Sequence, residues 1–436
     1  MVRQILADDT ADSGTTGTLN LPKNPRTGKP YKVMDLQQDQ KQIAASIFHT
    51  LKQWLTCTDY SQFKPLRMII NGAGGSGKSV IINTIVVAVR TMFQCNDVIR
   101  VCAPTGAAAA NVGGETVHAL LKQSIDNGGA YQPNSMNEFK RKELVRRFKM
   151  LLALIIDERS LLSSNLFGSA QQTLSETIYD GFLNSHEWGG LPVLILVGDD
   201  YQLPAISEGP LQALFNAGGS KVTQNGRACL RRCAENVREL TNNKRLNGNR
   251  DKDRVLLEHL RLGDDSLTDD EVAKLLSLHV DNIEKLYGKS IVEEIEMKSV
   301  FLFFRNAKRI KHNLEMLART CTVENPVAII KRQGVGCMNG KPCKSHFHDS
   351  SSDKDQGSAM LCVGCRVSIV NRNFKPSWGL YNRAGGNVDE IVFEPGANPN
   401  YGQLPKYVVV DFPDYTGPIW DESNPTVRSP IEWQYL

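Results

Sequence analysis

The chain has 436 residues, 22% of them charged and 41% hydrophobic, with a formal net charge of +4. That length exceeds what one core usually serves, so two or more domains are expected, and so mild a basic excess permits a polyanionic partner without arguing for one. No apolar run approaches the length of a membrane span, and ten cysteines without a disulfide-scaffold pattern, behind a start that lacks an apolar leader, point to a reducing compartment rather than secretion.

Residues 1–33 are polar and rich in Gly, Thr and Pro, as in "DDTADSGTTGT" and "PKNPRTGKP", and are expected to be a mobile tail. Arg67 to Asn71 is a short apolar run of strand type, and Val80 to Phe93 has the apolar face of a helix. Between them lies "GAGGSGKS": Gly72, Ala73, Gly74, Gly75, Ser76, Gly77, Lys78 and Ser79 match the phosphate-binding loop at every fixed position. Residues without Cβ atoms let the loop aim backbone N–H groups at phosphate oxygens, at the positive end of the following helix. Lys78 is then expected to reach the β- and γ-phosphates and Ser79 to ligate Mg²⁺.

Further apolar strands are expected at 98–104, 151–158 and 192–200, with helical or polar segments between them. Such alternation implies an α/β fold with a parallel sheet covered by helices, whose active groups gather at the strands' carboxyl ends. Behind the second of these strands stand Asp157 and Glu158. An acidic pair there suits nucleotide hydrolysis, Asp157 holding Mg²⁺ and Glu158 orienting and deprotonating the attacking water. Behind the third, "GDDYQLP" brings Asp199, Asp200 and Gln202, whose amide can touch the γ-phosphate and report hydrolysis.

In "APTGAAAANVGGETVHALL", small residues open a helix after a strand, with Thr105, Thr116 and His118 as polar points. Small side chains let a nucleic-acid backbone come close, and hydroxyls bind phosphate without reading sequence; the alternative is tight alanine packing with His118 as a satisfied core histidine. The basic stretch at 139–149 is read as a solvated helix face.

A second series follows the Gly218-Gly219 loop: helical stretches "NVRELTNNKRL" and "DKDRVLLEHLRLGDD", then a strand and helix over 299–318. Short alternating strands separated by Gly, Asn and Pro close the chain and suggest a small β-rich module. Cys337, Cys343, His346, His348, Cys362 and Cys365 are the one set with metal-binding chemistry, but only Cys362-Val-Gly-Cys365 has the short spacing zinc sites use.

Taken together and in order, "GAGGSGKS", "APTGAAAANVGGETVHALL", "IIDERS", "GDDYQLP", "LTNNKRL" and "GLYNRAGGNVDEIVF" resemble the Pif (petite integration frequency) family of superfamily-one DNA helicases, from about Val33 onward. The resemblance implies a RecA-like P-loop NTPase lobe over 34–230, a partial second RecA-like lobe over 231–330 and a β-rich, SH3-like insertion over 331–436. It implies ATP and Mg²⁺ as cofactors, and single-stranded DNA and duplex junctions as partners. It further implies unwinding of 5′ to 3′ polarity, a role in repair, recombination and telomere maintenance, and a nuclear location with the mitochondrion as the alternative. By the same resemblance Gln40 takes the position that contacts adenine, Thr105, Thr116 and His118 belong to the segment that grips single-stranded DNA, and Arg245 matches the arginine offered to the γ-phosphate. A guanidinium suits that task through its permanent charge and forked donors, though Arg245 also lies in a basic stretch that solvent alone would explain.

Two motifs that follow the β module in the family, of the types "TIHKSQG" and "ALSR", do not occur in the sequence. The expectation is therefore an unfinished second lobe, either a piece of a longer helicase or an ATP-dependent single-stranded-DNA-binding module that does not unwind.

Overall fold

The computed structural model describes residues 18–24, 27–60, 62–123, 137–181, 186–205, 219–242, 251–263, 267–331, 358–369, 375, 378–381, 384–397, 405–418 and 430–432. By packing it divides into two compact units, Met1–Asp264 and Asp265–Leu436. The boundary at 230 and 231 drawn above follows motif order; packing carries the first unit further along the chain.

In the first unit, helix α1 (Gln38–Thr56) buries Ile43, Ala44, Ile47, Leu51 and Trp54, a stripe at helical spacing. Next come β1 (Leu66–Gly72), α2 (Lys78–Phe93), β2 (Ile99–Ala103), α3 (Gly106–Asn111), β3 (Glu115–Thr116) and α4 (Val117–Leu120). They are followed by α5 (Glu138–Phe148), β4 (Ala153–Ile156), α6 (Ser164–Thr177), β5 (Val193–Gly198), α7 (Lys221–Cys233), β6 (Val237–Leu240) and α8 (Asp251–Leu262). The strands form one sheet in the order β3-β2-β4-β5-β1-β6, and every pairing is parallel.

β4 and β5 are buried at every position, which is why they read as unbroken apolar runs rather than as alternation. The three central strands β4, β5 and β1 are in register at their carboxyl ends, with Ile156 beside Leu196 and Gly198 beside Asn71. Helices α6 and α7 cross at two glycines: a Cβ on Gly168 would lie 2.0 Å from the Val222 carbonyl oxygen, and one on Gly226 2.0 Å from that of Ser164. α5 buries Leu144 and Phe148 and turns its other side outward, with Arg147 paired to Glu115, in keeping with a solvated face.

Two expected elements differ. The stretch beginning at Asn236 is not helical at its start: Val237–Leu240 is a strand, and it pairs with the free edge of β1. An edge strand tolerates the exposed Arg238 and Glu239 that made the segment look like a helix surface. Ser299 to Arg305 is not a strand, and Val300, Leu302 and Phe304 are 82%, 94% and 102% exposed. Apolar alternation alone does not make a strand; no described residue offers these a partner edge.

Part of the expected tail is also tied down. The Asn20 N–H donates to Asn96 Oδ1 at 2.8 Å, and Arg90 donates to the Asn20 carbonyl.

The second unit contains α9 (Asp269–Ser277), α10 (Val280–Tyr287), α11 (Lys289–Lys298) and α12 (Asn306–Thr320), then the antiparallel pair β7 (Ala328–Lys331) and β8 (Ser358–Leu361). A four-stranded antiparallel sheet follows, built from β9 (Arg366–Ser368), β10 (Gly385–Val392), β11 (Tyr407–Asp411) and β12 (Pro430–Glu432) in the order β12-β11-β10-β9. Its core gathers Cys362, Cys365, Val388, Val408, Val410 and Phe412. Cys362 and Cys365 face each other across a turn, the Cys362 N–H donating to Cys365 Sγ at 3.4 Å, and burial pushes the Cys362 thiol up to about 11. Cys337, Cys343, His346 and His348 lie outside the described residues, and among the described residues no cluster of three metal ligands occurs.

Candidate active site

The loop Gly72 to Gly77 leaves the carboxyl end of β1, between β5 and the edge strand β6, and ends as α2 begins at Lys78. Gly75 and Gly77 hold φ values of +92° and +90°, which side chains resist. Gly72 is needed for space, since a Cβ there would stand 2.5 Å from Ser76 Oγ and 3.1 Å from Leu240 Cβ. Lys78 folds back on the loop, its Nζ donating to the carbonyl oxygens of Gly72 at 2.6 Å and Ala73 at 3.1 Å. Burial lowers its pKa, while Asp199, Glu158 and Asp157 nearby pull the other way.

Gln40 reaches this loop from the first turn of α1. Its Oε1 accepts from the Gln37 N–H at 3.1 Å, its Nε2 donates to the Gly77 carbonyl at 3.5 Å, and a Cβ on Gly77 would lie 2.6 Å from that Nε2. The amide therefore seats the loop against the helix start.

Asp157 follows β4 and is 6% exposed. Burial raises its carboxyl to about 6, and the Glu158 charge adds to the rise; the Glu158 N–H and Lys78 oppose it. Glu158 takes a left-handed backbone conformation, φ 50° and ψ 48°, a strain of about 1 kcal/mol or more for a non-glycine residue. Its N–H donates to Asp157 Oδ1 at 2.9 Å, so the strained turn and the buried carboxylate support each other. Ser79 and Gln202 are exposed, the latter on the loop after β5, where its N–H donates to the Asp199 carbonyl at 3.1 Å.

The residues present fit magnesium and a phosphate chain. Glu158 Oε2 and Ser76 Oγ are buried without a hydrogen-bond partner, the glycine cradle is one that a Cβ would fill, and carboxylate with hydroxyl is the donor set hard cations take.

Thr105 and Thr116 stand at the carboxyl ends of the adjacent strands β2 and β3. Each caps a short helix, Thr105 Oγ1 accepting from the Ala108 N–H at 3.3 Å and Thr116 Oγ1 from the Ala119 N–H at 3.2 Å. A capping hydroxyl still has its own proton to donate. His118 is half-buried and burial lowers its pKa, which favours the neutral ring. Arg245 lies outside the described residues.

A profile of the PIF1-like helicases matches residues 35–270, more than half of the chain. The chain belongs to that family. It is 31% identical over 156 residues to the ATP-dependent DNA helicase PIF1 of Saccharomyces cerevisiae, a stretch that covers 36% of this chain and 17% of that protein. Over 342 residues it is 29% identical to the PIF1 helicase of Xenopus laevis, covering 76% of this chain and 45% of that one. The crystal structure of the Pif1 helicase from Candida albicans superposes with a TM-score of 0.54 at 18% identity, over 86% of this chain and 75% of that one, which confirms the RecA-like α/β fold. The matched stretch thus spans less than half of either curated relative.

Every phosphate-loop, acidic and glutamine position named above falls inside the PIF1-like match. The structure also places two arginines that sequence reasoning passed over. Arg159 donates to Asp200 Oδ1 at 2.5 Å, and Arg261 donates to Asp199 Oδ1 at 2.8 Å. Arg159 was visible as the residue after the acidic pair; Arg261 stands 62 residues from its partner, and no local spacing marks it.

Proposed function

We propose that this chain is the nucleotide-driven part of a DNA helicase, coupling ATP hydrolysis to movement on single-stranded DNA and unwinding at duplex junctions. The observation that carries this reading is the convergence of Lys78, the Asp157–Glu158 pair and Asp199 at the carboxyl ends of three adjacent parallel strands. In this scheme the loop N–H groups and Lys78 hold the phosphates, and Gln40 fixes the loop on its adenine side. Ser79 and Asp157 would hold Mg²⁺, which supplies charge neutralisation at the phosphate oxygens. Glu158 takes the proton of the attacking water, Gln202 senses the terminal phosphate, and Arg245 stabilises the charge that develops there.

Thr105, Thr116 and His118 are assigned to the single-stranded DNA path, their donors directed at phosphate rather than base edges. The 5′ to 3′ polarity, the roles in repair, recombination and telomere maintenance, and a nuclear site of action, with the mitochondrion as alternative, complete the proposal and rest on family likeness.

The test is ATP hydrolysis by the 436-residue chain with and without single-stranded DNA, with Lys78→Ala as the reference. Stimulation by DNA that Lys78→Ala abolishes is the expected result. Hydrolysis retained in Lys78→Ala would overturn the site assignment, and ATP binding without turnover would favour a DNA-binding module that does not unwind.

A further inference from the structure

Two consecutive aspartates follow β5, and each is held by a different arginine. Asp200 is paired with Arg159, which ties this loop to the one that carries Asp157 and Glu158. Asp199 is 3% exposed, and its Oδ1 accepts from both the Tyr201 N–H at 3.2 Å and Arg261 Nη2 at 2.8 Å. Arg261 sits in the last turn of α8, where its Nη1 also donates to Glu258 Oε1 at 2.8 Å. Its guanidinium carbon lies 4.5 Å from the centroid of the Tyr201 ring. One side chain thus grips an aspartate, a tyrosine face and its own helix at once.

A buried carboxylate without a cation beside it is costly, and three carboxylates lie within electrostatic reach of Lys78, where phosphate is to bind. Arg261 also acts on Lys78, with the opposite sign to Asp199. Removing the guanidinium would therefore leave an extra unbalanced negative charge next to the phosphate loop and free the loop that carries Gln202.

We propose that Arg261 is a positioning residue of the nucleotide site: it neutralises Asp199 beside the phosphate loop and pins Tyr201, hence the loop presenting Gln202, to α8. This rests on the nucleotide-binding reading above, but it assigns a role to a residue that reading does not use. Charge balance and loop position are separable. Neutralising Asp199 restores the first without the second.

The experiment is titration of the 436-residue chain with a fluorescent ATP analogue, alongside steady-state hydrolysis, for wild type, Arg261→Ala, Arg261→Lys, Asp199→Asn and the Arg261→Ala/Asp199→Asn double variant. Arg261→Ala should weaken analogue binding about tenfold, and the double variant should recover to within about threefold of wild type while hydrolysis stays low. A merely structural role would show as a lower melting temperature with no such recovery of binding. Arg261→Lys keeps the charge and loses the fork, so it should bind normally and hydrolyse slowly. Unchanged binding and hydrolysis in Arg261→Ala, or a double variant as weak as the single, overturns the proposal. Should Arg261→Ala not fold, normal hydrolysis in Arg261→Lys does the same. If Lys78→Ala binds the analogue as tightly as wild type, the nucleotide-site reading itself fails.

Discussion

Asp157 is caught between two demands, being buried at the end of β4 and, in the proposed mechanism, needed as an anion for a magnesium ion. Its carboxyl titrates near 6 instead of at the ordinary 3.8, so the folded chain binds this proton more tightly than the unfolded chain does. The sign follows: the fold loses stability as pH rises from the ordinary carboxylate value to about 6, and the deficit persists above that. Asp157→Asn should therefore melt a few degrees higher than wild type at pH 7.5 without magnesium, lose that part of the pH slope, and fail to hydrolyse ATP. Thermal midpoints between pH 4.5 and 7.5 check this, and an Asn variant less stable than wild type at pH 7.5 would contradict it. The positions of the loop residues and the acidic pair, at strand ends, were legible in sequence because phosphate loops and buried strands allow few residue types at fixed spacing. The left-handed turn at Glu158 and the Arg261–Asp199 pair were not, since one is a backbone angle and the other joins distant segments.

At the level of elements, the crossing of α6 and α7 leaves no room for a methyl group. Gly168→Ala should lower stability by about 1–3 kcal/mol, the cost of overpacking, because the new Cβ meets backbone on the neighbouring helix rather than a side chain that can turn aside. Chemical denaturation measures this; a neutral effect would mean that the helices slide apart freely. The central strands could be read directly because burial on both faces demands unbroken apolar runs. Edges are harder. β6 carries charges that look helical until β1 is seen to need a neighbour, and 299–305 carries apolar residues that look like a strand with no neighbour among the described residues. For β6 the deciding partner lies far along the chain, and for 299–305 no described strand supplies one, and neither fact is visible in periodicity.

For the whole molecule, the first unit holds the phosphate loop, both acidic loops and Arg261 within Met1–Asp264. Residues 1–264 alone should then bind the fluorescent ATP analogue about as tightly as the full chain, within about threefold, yet show no hydrolysis response to single-stranded DNA. Loss of binding in that fragment would show that the second unit contributes to holding nucleotide. The strand, glycine loop and helix start around Lys78 were readable in sequence to single residues. The packing boundary was not, because β6 and α8 lie beyond the 230–231 boundary drawn from motif order yet fall within the first compact unit. Finally, the ammonium of Lys78 is held by two partners from its own loop, the carbonyl oxygens of Gly72 and Ala73. In its half-buried place this cation thus has ligands that do not depend on a phosphate. On the proposed reading, the loop carries its own counter-ligand, to which the lysine would return when nucleotide leaves.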